Sequence, residues 1–202
     1  MLRFADYFFF KHTSLGLYCK RQDNYKFAKI FFISGLFFLL YNNSHAQTID
    51  MHQFYLAKGN SLSKSASSEQ IMIMQKILTL YTFNETFTVE TNIVYELISE
   101  SKETNYLVGT MPLLKWGFDL IQRRFVLFGG IGVNYISTDN IVGRNLGGNF
   151  IFSDLIGIGI NLYRFYDYEI DLSYVFKHIS NAGFYKDNEG FNSHYLMISL
   201  KL

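Results

Sequence analysis

Between Glu85 and Leu97 apolar and polar residues alternate. Phe87, Val89, Ile93, Tyr95 and Leu97 share one parity with Glu85 and Thr91, and Thr86, Thr88, Glu90, Asn92 and Glu96 share the other with Asn84 and Val94. A period of two predicts a β-strand with one apolar and one polar face. The pattern returns further along the chain. Leu114, Trp116, Phe118 and Leu120 alternate with Leu113, Lys115, Gly117 and Asp119. Phe152, Ile156, Ile158, Ile160 and Leu162 share a face that Asp154 interrupts. Ile170, Leu172, Tyr174 and Phe176 oppose Glu169, Asp171, Ser173 and Lys177. Leu196, Ile198, Leu200 and Leu202 oppose Tyr195, Met197, Ser199 and Lys201.

Seven runs emerge, at about 71–83, 84–98, 104–120, 123–137, 148–163, 164–180 and 191–202. Residues 50–57 supply an eighth strand, and the Ser-rich stretch Gly59–Gln70 reads as a loop. In Phe125–Tyr135 neither face is clearly polar, and its glycines suit close packing in a narrow barrel. A soluble sandwich also alternates, but its strands are usually about 5–6 residues long. Tilted membrane strands need about 9–11, which these runs reach.

The N-terminal segment changes the compartment. Lys26 and Lys29 precede the apolar run Ile30–Tyr41, and Ser44-His45-Ala46 follows as a small-x-small site. That order reads as a secretory signal peptide, cut after Ala46, with an uncleaved N-terminal anchor as the alternative. The apolar run is too short for a spanning helix of about 20 residues. Residues 1–24 precede this signal and carry no assigned role.

Composition agrees with export into a membrane. Aromatic residues make up 18% of the chain, and there is one proline, Pro112. The single cysteine, Cys19, leaves with the leader, so the exported part has neither a disulfide nor thiol chemistry. Removing the six basic and two acidic residues of the leader leaves 12 against 15, a net charge of −3. No basic excess remains to hold nucleic acid. The expectation is therefore all-β: an eight-stranded antiparallel transmembrane β-barrel after an N-terminal signal peptide. Residues 1–46 form the extension and leader, and residues 47–202 the outer-membrane barrel. Closure leaves no unpaired backbone in lipid, and side chains fill so narrow a channel.

The candidate chemistry lies at the end of the run 164–180. His178 and Ser180 continue the apolar parity of Ile170, Leu172, Tyr174 and Phe176, so both point toward lipid. At ~3.3 Å per residue and a ~40° tilt, His178 stands roughly 20 Å above Ile170 in a band about 25 Å tall. The pair thus lies at a rim. An even-stranded barrel keeps both termini on the inner side, so this rim is the outer one and 181–190 is an outer loop. Asn192 shares the lipid-facing parity on the next strand, whereas Glu189 has the opposite parity. A serine needs a base to take its proton, and a histidine base needs a group to orient it. Ser180 as nucleophile, His178 as base and Asn192 as orienter meet that need. The blander reading is a pair of interfacial polar residues.

The segments His178-Ile179-Ser180-Asn181-Ala182-Gly183 and Asn188-Glu189-Gly190-Phe191-Asn192 resemble the outer-membrane lipid A deacylases of the PagL or acyloxyacyl hydrolase type. That family carries H-x-S-N-A at a strand end and N-x-G before the last strand. The resemblance implies an eight-stranded barrel that removes an ester-linked acyl chain from lipid A. It assigns His178 as base and Ser180 as nucleophile. It makes Asn188 an oxyanion donor, with backbone N–H groups around Ala182 and Gly183. Asn181 favours the turn. The chain departs from the family at Asn192, where the best-described members carry a glutamate. An amide can accept the imidazole hydrogen bond but cannot offer charge. His194 reads as interfacial.

The partners implied are lipid A or lipopolysaccharide and the outer-membrane lipids, with a homodimer as an open alternative. No metal or cofactor is implied. Two other readings remain: a non-catalytic small barrel with a structural, adhesive or lipid-binding role, and a soluble periplasmic β-protein.

Overall fold

The computed structural model describes residues 48–49, 51–62, 67–83, 86–100 and 103–202. Ala46–Leu202 makes one compact unit. The expected leader and its cut after Ala46 lie outside the described residues.

Eight long strands carry the fold: β1 Gln53–Ser61, β2 Glu69–Phe83, β3 Phe87–Glu100, β4 Glu103–Leu120, β5 Arg123–Ile136, β6 Phe150–Phe165, β7 Tyr168–Ser180 and β8 Phe191–Lys201. Each pairs antiparallel with its sequence neighbours, and β8 pairs with β1, so the sheet closes into an up-and-down barrel. Closure leaves no long edge strand, which is what lipid demands of a β-structure. A short segment, Thr48–Ile49, adds antiparallel to β2 at Leu78–Thr79. The Leu202 amide donates to His52 O at 2.7 Å, so the chain's end returns beside the start of β1.

The first strand differs from its expected position. It runs over 53–61 rather than 50–57, and Glu69 and Gln70, expected in the loop, begin β2. Gly59 belongs in the strand for a packing reason. A Cβ there would stand 2.4 Å from Cδ1 of Tyr195, so its absence seats the tyrosine ring.

Parity assigns the faces. On β7, Ser173, Val175, Lys177 and Ile179 are buried inside, while Tyr174 and Phe176 are exposed outside. The outward Ile and Leu side chains, such as Leu56, Ile73, Ile93, Leu127, Ile158 and Ile198, form an exposed apolar band. Exposed aromatics flank it, with Phe83, Trp116, Tyr163 and Phe165 at the end holding the termini. Tyr106, Tyr135 and Phe150 lie at the other end. Such a band between two girdles is the surface of a barrel in a bilayer.

The lumen is filled at mid-height. Met72, Met74, Met111, Leu113 and Met197 pack with Tyr195. Lys177 and Glu96, both fully buried, form an ion pair there, and Tyr195 Oη donates to Glu96 Oε1 at 2.5 Å. Inward glycines make room for larger neighbours. A Cβ on Gly157 would stand 2.3 Å from the Phe128 ring. A polar cavity of about 440 Å³, lined by Lys76, Lys115 and Arg164 among others, opens at the end holding the termini. It is lumen mouth, remote from the outward-facing residues considered below.

The end of β1 at Ser61, the start of β2 at Glu69, and the loops 137–149 and 181–190 all lie at the end opposite the termini, the outer end of an even-stranded barrel.

Candidate active site

The β7–β8 hairpin builds the site. His178 and Asn192 are direct cross-strand partners in the last pairs of that ladder. One step further out, Ser180 still pairs with Phe152 of β6 but has no β8 partner. Its side chain therefore stands where the wall opens into the loop 181–190. His178, Ser180 and Asn192 share the lipid-facing parity at the outer rim.

His178 Nδ1 and Asn192 Oδ1 are 2.6 Å apart. An amide oxygen only accepts, so this bond requires the proton on Nδ1. In the neutral ring that leaves the Nε2 lone pair open, the tautomer a base needs. Nε2 has no hydrogen-bond partner among the described residues. Ser180 Oγ instead accepts from the Ala182 N–H at 3.4 Å. Serine and histidine thus share a face without a direct bond. In unliganded sites such bonds are often long and close only around substrate.

Asn181 is fully buried and ties the outer loops together. Its Nδ2 donates to Leu146 O at 2.7 Å and to Asp187 O at 2.5 Å. Its Oδ1 accepts from the Gly183 N–H at 2.7 Å. The Gly183 amide is therefore committed to Asn181 rather than open to a substrate. Asn188 Oδ1 accepts from the Asn181 N–H at 3.0 Å. Its Nδ2 has no partner among the described residues, so this side chain is anchored by its oxygen with a donor to spare. Ala182 sits at φ +51° between Ser180 and Gly183.

Glu189 does not reach His178. Its carboxylate accepts from the Asn145 N–H at 2.7 Å, and its own N–H donates to Asn145 O at 3.1 Å. Arg144 Nη1 adds bonds to Glu189 O at 3.4 Å and Gly190 O at 3.5 Å. The loop 137–149 thus braces the loop that carries the motif. Sequence pattern held no sign of this, since the two loops are far apart in the chain. His194 stacks on Tyr174 with centroids 6.2 Å apart and is not joined to His178. Asp154 faces outward beside His178 as its β6 partner. Its only signal in the sequence was its place as the one acid in an apolar row.

The family model described as "Lipid A 3-O-deacylase (PagL)" matches residues 76–201. Among solved structures, the chain is similar to the outer membrane enzyme PagL at 20% identity and a TM-score of 0.60, covering 74% of this chain and 99% of that one. It is also similar to Neisserial surface protein A at 18% identity and a TM-score of 0.48, covering 74% and 94%. No curated protein matches. The first structural likeness carries the barrel fold, and the family match runs from within β2 to the end of β8. The chain is an outer-membrane β-barrel protein and belongs to the lipid A 3-O-deacylase (PagL) family.

Proposed function

We propose that the protein is a serine esterase of the outer leaflet that hydrolyses an ester-linked acyl chain of lipid A. The observation that carries the reading is the 2.6 Å bond between His178 Nδ1 and Asn192 Oδ1, which leaves the Nε2 lone pair free to act as a base on the wall that carries Ser180. Family membership supplies the substrate class, since the family description names the 3-O-acyl bond of lipid A.

The steps follow from the groups present. Nε2 of His178 takes the Ser180 hydroxyl proton as Oγ attacks the ester carbonyl carbon. The carbonyl oxygen becomes an oxyanion, and Asn188 Nδ2 is the side-chain donor at hand for it. The intermediate collapses as the bond to the sugar oxygen breaks, and the imidazolium protonates that oxygen. Water, deprotonated by His178, then attacks the acyl-serine; as the acyl–Oγ bond breaks, the imidazolium returns the proton to Ser180 Oγ and the fatty acid is released.

A non-catalytic barrel is the second reading. Two observations favour it: an amide stands where the family carries a carboxylate, and Ser180 Oγ binds the Ala182 N–H rather than His178. The test is the mass spectrum of lipid A from a Gram-negative host expressing the full chain. Loss of one acyl chain, absent in Ser180→Ala, is expected. An unchanged spectrum from correctly inserted protein sinks the esterase reading.

A further inference from the structure

The outward row of β6 reads Phe150, Phe152, Asp154, Ile156, Ile158, Ile160, Leu162. Asp154 is its one ionisable residue, and it is exposed. Charge on the lipid face destabilises a barrel to a degree set by depth. Nothing in the strand needs this carboxylate, because it makes no hydrogen bond or ion pair among the described residues.

Its position is specific. Asp154 is the β6 register partner of His178, and Asn192 is the β8 partner. His178 therefore stands between an amide residue on one neighbouring strand and a carboxylate residue on the other. Directly opposed residues on one sheet face have Cβ atoms about 4.5–5.5 Å apart. The other acids near the site are engaged. Glu189 binds the Asn145 N–H, and Asp187 accepts from Asn145 Nδ2 at 3.3 Å.

We propose that Asp154 is the charge partner of His178. This rests on the esterase reading above. Asn192 fixes the tautomer through Nδ1 but is neutral. As Nε2 gains the Ser180 proton, the ring becomes a cation, and the Asp154 carboxylate stabilises it across the strand gap. The proton passes from Ser180 to His178 and on to the leaving sugar oxygen. Two tasks that a single acid can perform are divided here between two strands. Asp154 is thus a positioning residue that acts through His178. At the edge of a bilayer, a charge interaction over about 5–6 Å is far less damped than in water.

The test is a double-mutant cycle in detergent micelles containing lipid A, with Ser180→Ala as the blank. Asp154→Asn is expected to lower kcat on the order of 10- to 100-fold, with KM within about twofold. Asn192→Glu is expected to raise kcat more in the Asp154→Asn background than in the parent, because it returns the missing charge. An Asp154→Asn variant with parental kcat overturns the inference. So does an equal gain from Asn192→Glu in both backgrounds. A parent with no activity above the Ser180→Ala blank overturns the esterase reading itself, and the inference falls with it. Heat-modifiable migration on gels confirms that each variant is folded.

Discussion

Gly190 lies against the imidazole of His178. A Cβ on it would stand 2.8 Å from Cε1 and 3.4 Å from Nε2 of the ring. Its φ of +65° also lies in the left-handed region, which residues with a Cβ resist. The glycine of the N-x-G segment therefore has two jobs: it turns the chain into β8 and leaves the ring its place. Gly190→Ala is expected to cost about 1–2 kcal/mol of stability, the strain of one Cβ-bearing residue in the left-handed region. Activity should fall much further, by about 100-fold, because displacing a base by about 1 Å is costly to reaction geometry. Parallel measurement of the urea midpoint and of deacylation checks the split. Equal, small effects on both would remove the ring-seating role.

Asn181 predicts a loop effect. Its side chain makes the three bonds to Leu146 O, Asp187 O and the Gly183 N–H. Asn181→Ala leaves buried groups without partners, at about 1–3 kcal/mol for each one that water cannot reach. The barrel strands below do not use this side chain. The expected outcome is faster proteolytic cleavage within 181–190 and lost activity, with an unchanged barrel core by hydrogen exchange.

The lumen pair predicts asymmetry between single and double variants. Lys177 and Glu96 are fully buried and paired. Lys177→Met strands the carboxylate and is expected to cost about 3–5 kcal/mol. Lys177→Met with Glu96→Gln removes both charges and should cost less than Lys177→Met alone. Urea titration of liposome-inserted protein reads both. A double variant that is worse than the sum of its singles would contradict this account.

A cleaved signal peptide, as the sequence leads one to expect, would give a new N-terminus. Protein purified from outer membranes should begin at Gln47 by N-terminal sequencing. A start upstream of Ile30 would mean the apolar run is retained as an anchor.

Strand positions were legible because lipid outside and packed side chains inside impose strict alternation. The runs expected at 123–137 and 191–202 match β5 and β8 to within a residue. β1 was less legible. Gly59, Asn60 and Ser61 look like turn residues, and the glycine is explained by its register partner on β8, whose Tyr195 ring and the neighbouring His194 carbonyl leave no room for a Cβ. The register shifts in β2, at Lys76/Leu78 and Thr79/Tyr81, also break parity where no residue announces it. In the site, parity alone placed His178, Ser180 and Asn192 on one face. Parity cannot say what lies on the neighbouring strand. The pairing of Asp154 with His178 depends on register between β6 and β7, and the bracing of Glu189 by Asn145 depends on two loops meeting.

The packed lumen has a kinetic consequence for any hydrolase built this way. Nothing enters through the middle of the barrel, and the reacting groups project from its wall. Substrate then arrives by lateral diffusion in one leaflet, and the released fatty acid remains in that leaflet. Turnover should therefore follow the mole fraction of substrate among the surrounding lipids rather than its bulk concentration. Inert lipid added at constant substrate should slow the reaction, while more buffer should not.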